Sequence, residues 1–117
     1  MLTPSSRHAW IDATRWHIFD AMADDWESPE QIANHFRDHV GTAIAPETLA
    51  DVLEELFRRE YLFLTMNTQF DKHAILAELR GETTDRRFWF GRTELGYVAW
   101  EQLQDRFGDD IPSRESI

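Results

Sequence analysis

The sequence predicts a single, mainly helical domain with one small β-hairpin, which is an α+β fold. Residues 28–61 carry the start and stop signals of two short helices joined by a glycine-containing turn. Residues 61–66 and 87–92 are short runs rich in aromatic and large apolar side chains, which is typical of strands. The chain has 117 residues, 42% of them hydrophobic, as expected for one globular domain. The predicted order is helix, helix, turn, helix, strand, strand, helix.

The first helix is predicted from Ser6 to about Asp24. Trp16 lies off its main stripe, so it is expected either to be covered by a later helix or the N-terminus, or to form a contact between subunits. Trp26 is expected to anchor the turn that follows. The main stripe consists of Trp10, Ile11, Thr14, Ile18, Phe19, Ala21 and Met22, and the other side carries Asp12, Ala13 and Asp20.

The second helix is predicted to begin at Pro29. Ser28 is a good N-cap, and Gln31 completes a Ser-x-x-Gln capping box. Proline fits the first helical position because no N–H is needed there. Gly41 supplies the stop. The residues expected on the core-facing stripe are Ile32, His35, Phe36, His39 and Val40.

The third helix is predicted to begin in the same way, at Pro46. Its buried stripe consists of Leu49, Val52, Leu53, Leu56 and Phe57. Because an α-helix has about 3.6 residues per turn, a polar set gathers on the other side. We call that outward side the acidic face; it consists of Glu47, Thr48, Asp51, Glu54, Glu55 and Arg58. Four carboxylates share it with one arginine.

The remaining elements follow in order. The two strands are expected to pair antiparallel, with a short helix over 71–80 between them, before Gly81. Thr93 is the predicted cap of a final helix. One stripe of that helix consists of Leu95, Val98, Ala99, Leu103 and Phe107, and a second consists of Tyr97, Trp100 and Gln104. Residues 108–117 show no periodicity and are expected to be frayed.

This order of elements resembles the winged helix-turn-helix domains of bacterial transcription regulators of the PadR and MarR kind. The resemblance covers roughly residues 10–107. It rests on the spacing of Ile18, Ile32, Ala33, Phe36, Leu49, Leu53 and Leu56, and on Thr93-Glu94-Leu95-Gly96, which is similar to the Thr-x-x-Gly that often follows the wing.

We therefore expect one winged-helix domain over 1–117, with a core over about 8–107 and a wing over 61–92. Two features depart from the family pattern. Glu60 stands where such families often place a glycine, and the wing is enlarged by residues 67–86.

Regulators of this kind usually bind DNA as dimers, with the third helix in the major groove, so the resemblance implies that the acidic face meets DNA. The charges argue otherwise. The net charge is −10: residues 1–57 carry three arginines against eleven acids, whereas 58–92 are net +2 and 93–117 net −4. Because DNA is bound largely by cations that displace counterions, four carboxylates at one groove are unfavourable. We expect the acidic face to be solvated or to face a protein.

The wing is the basic part of the chain. Its cations lie near Phe88, Trp89 and Phe90, a mixture that suits nucleic acid or an acidic protein partner. The plainer interpretation is a solvated hairpin with core aromatics. A third is that the basic wing and the acidic face pair with each other in an oligomer. The wing face consists of Arg80, Arg86, Arg87 and Arg92.

Aromatic residues outside the core stripes are candidates for a subunit contact, and we expect self-association, most simply as a homodimer. The dimer candidates are Trp16, Tyr97 and Trp100.

Catalysis and metal binding have little support. The chain has no cysteine, and His35 and His39, one helical turn apart beside Asp38, lack a third ligand at a fixed spacing. We predict no catalytic residue, no metal and no cofactor. No apolar run approaches the roughly 20 residues of a membrane helix, and no signal-peptide stretch opens the chain, so a cytoplasmic protein is expected.

The leading hypothesis is a non-enzymatic winged-helix regulator or adaptor that acts mainly through protein contacts. The alternative is a dimeric DNA-binding transcription regulator that uses the arginine-rich wing. A further alternative, an acidic decoy that occupies a nucleic-acid-binding protein, follows from net charge alone.

Overall fold

The computed structural model of the chain describes residues 4–41, 43–66 and 68–107, with side chains from residue 12 onward. These residues form five helices and one two-stranded antiparallel sheet, which confirms the predicted α+β fold. The predicted frayed tail and the side chains of Trp10 and Ile11 lie outside the described part. The elements are α1 (Pro4–Ala21), α2 (Pro29–His39), α3 (Pro46–Arg58), β1 (Leu62–Leu64), α4 (Lys72–Leu79), β2 (Phe90–Arg92) and α5 (Glu94–Phe107).

The start of α2 is built as predicted. The hydroxyl oxygen of Ser28 accepts a hydrogen bond from the N–H of Gln31 at 3.3 Å, and the Gln31 side chain accepts one from the N–H of Ser28 at 3.0 Å. This reciprocal pair is the capping box. Helix α3 begins at Pro46 after Ala45, whose backbone is extended and whose methyl group cannot cap.

The two strands pair antiparallel as predicted, with Phe63 opposite Gly91. Both strands are shorter than the predicted runs 61–66 and 87–92. One reason is the backbone of Met66, where a φ of +60° cannot continue a strand.

On the side of β2 that faces away from β1, one further residue pairs with the sheet. Glu27, in the turn between α1 and α2, exchanges two backbone hydrogen bonds with Phe90, at 3.0 and 2.9 Å. The sheet therefore joins the first connection of the chain to the hairpin. This arrangement, with five helices and a hairpin, is compatible with a winged helix.

The Thr-x-x-Gly segment has a physical role. The Thr93 hydroxyl accepts a hydrogen bond from the N–H of Gly96 at 3.0 Å and donates one to the carbonyl oxygen of Glu60 at 2.6 Å. A Cβ on Gly96 would lie 2.1 Å from the carbonyl oxygen of Tyr61. Thr93 thus caps α5 and ties it to the end of α3, while Gly96 lets α5 approach the hairpin.

One core lies between the helices and the inner face of the hairpin. Fully burying a large apolar side chain stabilises a fold by about 1.5–3 kcal/mol. His39, predicted on the inner stripe of α2, is exposed because it is the last residue of the helix, and its ring is tilted by 33° against that of His35. Among the fully buried side chains are Ile18, Phe19, Ile32, Phe36, Leu49, Leu53, Leu56, Ile75 and Phe90.

The predicted stripes of α1 and α5 were partly wrong. Ala13, placed on the outer side of α1, is fully buried, because α1 packs against both α2 and α5 and buries more than one stripe. On α5, Leu95 and Val98 are exposed by 54% and 44%. The close approach at Gly96 turns the line through Gly96 and Leu103 inward and leaves Leu95 and Val98 outward. Three other members of the predicted stripe do lie at the core: Leu103 is buried, and Ala99 and Phe107 are half-buried.

The helix predicted between the strands is confirmed as α4. Its cap is Asp71, whose carboxylate accepts a hydrogen bond from the N–H of Ala74 at 3.1 Å. Ile75 is fully buried, and Phe70 just before the helix stacks on Phe57 with ring centroids 5.3 Å apart. Helix α4 lies against both α2 and α3. The segment between the two strands therefore folds back onto α2 and α3.

Candidate interaction surface

One edge of the acidic face of α3 is paired with α4. Arg80, just after α4, pairs with Glu47 in the first turn of α3. Lys72, at the start of α4, pairs with Asp51 and, at 3.8 Å, with Glu54. Because the end of α4 meets the start of α3, the two helices run antiparallel. Cations of the enlarged wing thus neutralise acids of α3 within the chain.

These ion pairs lie at the surface. The side chains of Asp51 and Glu47 are 62% and 58% exposed. Ion pairs of such exposure contribute about 0–1 kcal/mol each. Helix α4 is therefore held mainly by the burial of Ile75 and the stacking of Phe70. The hydrogen bond from Arg80 lowers the pKa of Glu47.

The other edge of the acidic face is held by α1. The guanidinium of Arg15 donates to the carboxylate of Glu55 at 2.7 Å, and this bond lowers the pKa of Glu55. Within α3, Arg58 pairs with Glu54 at 3.2 Å, as their spacing predicts. Thr48 is exposed beside them. Each of the four carboxylates of the acidic face therefore has a cation as its partner.

Two wing residues bind the start of α2. Glu78 is 2% exposed, and its carboxylate accepts a hydrogen bond from the N–H of Glu30 at 3.0 Å. This bond adds a second cap beside Ser28, at the helix end where the dipole favours negative charge. Burial raises the pKa of Glu78, although the bond from Glu30 opposes this. Arg86 pairs with the Glu30 carboxylate at 3.0 Å.

Most of the predicted wing face is used inside the chain. Arg80 and Arg86 form the ion pairs just described. The guanidinium of Arg92 lies 5.0 Å from the ring centroid of Trp100 and 5.4 Å from that of Tyr97. The acidic face and the basic wing thus form ion pairs within one chain. The sequence had suggested the same pairing between copies of the chain in an oligomer.

Arg87 and Arg92 form no ion pair within the described residues, and Arg87 is the more exposed of the two. The Arg87 guanidinium lies 5.2 Å from the ring centroid of Phe88. Arg87 borders a pocket of about 470 Å³ between α3 and the wing, which Arg58 and Lys72 also line. Glu54 lies in the same wall, so the pocket is only partly basic.

Two of the three dimer candidates contact each other within the chain. The rings of Trp16 and Trp100 stack with centroids 6.4 Å apart, and the indole N–H of Trp16 donates to the side chain of Gln104 at 3.0 Å. Helix α5 is therefore the later helix that covers Trp16. Tyr97 is 46% exposed and stays at the surface. The predicted dimer stays a prediction.

The two histidines of α2 belong to a cluster of three. The rings of His35 and His39 lie 4.3 Å apart, and His17 from α1 lies 5.7 Å from His35. His17 is 6% exposed, and burial lowers its pKa to about 4, with the neighbouring histidines adding to the effect. Across the described residues, no group of three or more His, Cys, Asp or Glu side chains is placed to hold a metal ion. The sequence did not point to His17, because helix spacing relates residues of one helix only.

A surface that the sequence reasoning missed lies between α1 and α2. Trp26, expected to anchor this turn, is 54% exposed. Asp24, Asp25 and Glu27 flank it, and within the part of the chain that the structure describes none of the three forms an ion pair. The signal in the sequence was the run Asp-Asp-Trp-Glu, in which a large aromatic residue interrupts three acids.

Comparison of the chain with models of protein families, with curated proteins and with solved structures finds no match. None of the described helices is long and apolar enough to cross a bilayer. What can be inferred about function rests on the fold and on the distribution of its charges.

Proposed function

We propose that the chain is a winged-helix domain of the PadR and MarR kind that acts as a non-enzymatic regulator or adaptor, mainly through protein contacts. The winged-helix assignment is supported by the order of the elements, by the backbone bridge between Glu27 and Phe90, and by the turn from Thr93 to Gly96. The observation that carries the function is the neutralised acidic face of α3. The proposal assigns no catalytic residue and no cofactor.

Helix α3 presents carboxylates, and no free cations of its own acidic face, to a DNA groove. A recognition helix that reads DNA presents free donors and cations to bases and phosphates. Here the helix presents carboxylates, and the nearest cations, Arg15, Lys72 and Arg80, already bind those carboxylates. A phosphate that recruited one of these cations would leave an unpaired carboxylate at the groove. The favourable release of counterions is correspondingly small.

The test is fluorescence anisotropy of a labelled DNA duplex of mixed sequence, titrated with the chain at low and at physiological salt. We expect no binding at physiological salt. The comparison variant combines Glu47→Gln, Asp51→Asn and Glu54→Gln, which removes three negative charges from the acidic face. Binding by this variant at low salt, without binding by the unmodified chain, would identify the acidic face as the barrier. Salt-sensitive binding by the unmodified chain would contradict the proposal.

The competing candidate is a dimeric DNA-binding regulator that uses the wing. The pocket bordered by Arg58, Lys72 and Arg87 favours it, because cations of α3, α4 and the wing meet there. Under this alternative, Arg87→Glu would weaken DNA binding steeply and reduce its salt dependence. Arg37→Glu, at an exposed arginine of α2, is the control with the same change in charge.

A further inference from the structure

The outer face of the hairpin carries two aromatic rings that meet over a glycine. A Cβ on Gly91 would lie 2.6 Å from the Phe63 ring and 2.9 Å from the Trp26 ring. The bridge between Glu27 and Phe90 places Trp26 beside Gly91 on this face, and strand pairing places Phe63 on its other side. Because glycine has no side chain, both rings can pack directly on the backbone of the sheet at Gly91. Trp26 is 54% and Phe63 36% exposed.

The acids around Trp26 differ from those of α3. Asp24, Asp25 and Glu27 form no ion pair among the described residues, whereas each acid of α3 has a cation partner. The Asp25 carboxylate accepts a hydrogen bond from the backbone N–H of Trp26 at 2.8 Å. Burial raises the pKa of Glu27, and the neighbouring Asp25 adds to this effect. A cation placed here would relieve the repulsion between the two carboxylates.

The surface extends beyond the two rings. Phe63 also lines a groove of about 590 Å³ along β1, together with Leu62, Leu64 and Thr68. The lining also includes one acid and one cation, Glu60 and Arg58. A partner that contacts both the two rings and this groove is larger than an isolated cation, and a peptide segment meets that requirement.

We propose that the face formed by Trp26, Phe63 and Gly91 binds a basic segment of a partner protein, with an arginine or lysine side chain over the two rings. Asp24, Asp25 and Glu27 neutralise the charge of that segment. Cations bind the faces of aromatic rings, tryptophan best of all. This inference rests on the proposed function, because it names the partner of a chain that acts through protein contacts.

The charges decide between this partner and the other occupants of such a surface. A second copy of the chain would bring its own three carboxylates to the same face around a two-fold axis, so like charges would meet. Nucleic acid is anionic and would be repelled in the same way. A basic peptide is the occupant whose charge complements the surface.

The experiment is a titration of the isotope-labelled chain with an acetylated hexa-arginine peptide, followed by two-dimensional NMR. In the unmodified chain, the largest shift changes are expected at the Trp26 indole N–H and at the amides of Glu27, Phe63 and Gly91. Trp26→Leu keeps an apolar side chain and should weaken binding about two- to fivefold. Asp24→Asn with Asp25→Asn and Glu27→Gln should weaken it about tenfold at low salt.

The matched control removes the same charge from another acidic surface. Glu94→Gln, Glu101→Gln and Asp105→Asn lie on exposed positions of α5 and should leave peptide binding nearly unchanged. If both triple variants weakened peptide binding equally, binding would depend only on the net charge of the chain, and the proposal would be overturned. Shift changes on α3 or α5, no binding, or self-association through the hairpin would also overturn it. None of these outcomes depends on whether the chain binds DNA, which the anisotropy experiment decides separately.

Discussion

Glu60 and Gly81 occupy equivalent positions at the C-terminal ends of α3 and α4. Each is the first residue beyond the cap, with a φ of +63° at Glu60 and +72° at Gly81. The backbone N–H of Glu60 donates a hydrogen bond to the carbonyl oxygen of Phe57, and that of Gly81 donates one to the carbonyl oxygen of Glu78. Both ends are Schellman motifs, in which glycine is favoured because a Cβ is strained in the left-handed conformation.

We expect Glu60→Gly to increase the free energy of unfolding by about 0.5–1 kcal/mol. Relief of the left-handed strain is worth about 1–2 kcal/mol, and the greater freedom of glycine in the unfolded chain offsets part of it. Urea-induced unfolding followed by tryptophan fluorescence measures the change. Gly81→Glu is the control. No atom lies within 4 Å of the added Cβ, so backbone strain alone should destabilise that variant. Changes of the same sign at both positions would refute this explanation.

The contact between Arg15 and Glu55 should stabilise the fold more than the exposed pair within α3. Their side chains are 24% and 33% exposed, whereas Arg58 is 66% exposed. We expect Arg15→Met to cost about 1–2 kcal/mol and Arg58→Met less than about 0.5 kcal/mol. Arg15→Met combined with Glu55→Gln should recover part of the loss, because no unpaired carboxylate remains. Equal effects of the two arginine variants would contradict this assignment.

His17 should make the fold sensitive to mild acid. Its pKa is about 4 in the folded chain against 6.5 for a free histidine, so the unfolded state binds more protons below pH 6.5. Stability therefore falls as pH drops from about 6.5 to 4, with about 1–2 kcal/mol lost between pH 7 and pH 5. His17→Leu should remove much of this loss, while His35, whose pKa burial also lowers, retains a part of it. His73→Leu, at an exposed position of α4, should leave the loss in place. Unfolding curves at several pH values test this, and an unchanged slope in His17→Leu would rule it out.

Glu78 should respond to pH in a different window. Its pKa is raised by burial, so the folded state holds a proton that the unfolded state has released, and stability falls as pH rises above about 4.5. Glu78→Gln keeps an oxygen for the N–H of Glu30 and should flatten this decline and stabilise the fold at pH 7. Glu78→Leu loses the cap and should cost about 1 kcal/mol. A Gln variant less stable than the parent at pH 7 would show that the charged form is the favoured one.

Self-association is best tested at Tyr97, since Trp16 and Trp100 support α1 and α5 and their substitution would disturb the fold. If the chain dimerises through α5, Tyr97→Glu should give a monomer in sedimentation equilibrium. Thr84→Glu, at an exposed wing residue, adds the same charge elsewhere and should leave the association unchanged. A dimer that persists in Tyr97→Glu would exclude this residue from the contact.

The starts of α2, α3 and α4 were predictable because their causes are local, whereas α1 was predicted over Ser6 to about Asp24 and spans Pro4–Ala21. The capping box at Ser28 acts over three residues, and Asp71 caps α4 over the same distance. The rotation of α5 was not predictable in this way. Periodicity shows that a helix has an apolar side, but the tight contact between Gly96 and the Tyr61 carbonyl decides which side is buried, and it leaves Leu95 exposed.

By itself, the sequence determined where α2 and α3 begin and that four carboxylates share one side of α3. Only the tertiary structure decided what those carboxylates meet. Glu47 binds Arg80, 33 residues away, and Glu55 binds Arg15, 40 residues away. Such pairs form only when α1 and α4 have packed beside α3, and that packing follows from the burial of side chains across the whole core. The acids of α3 are therefore internal partners, whereas the acids around Trp26 form no ion pair among the described residues.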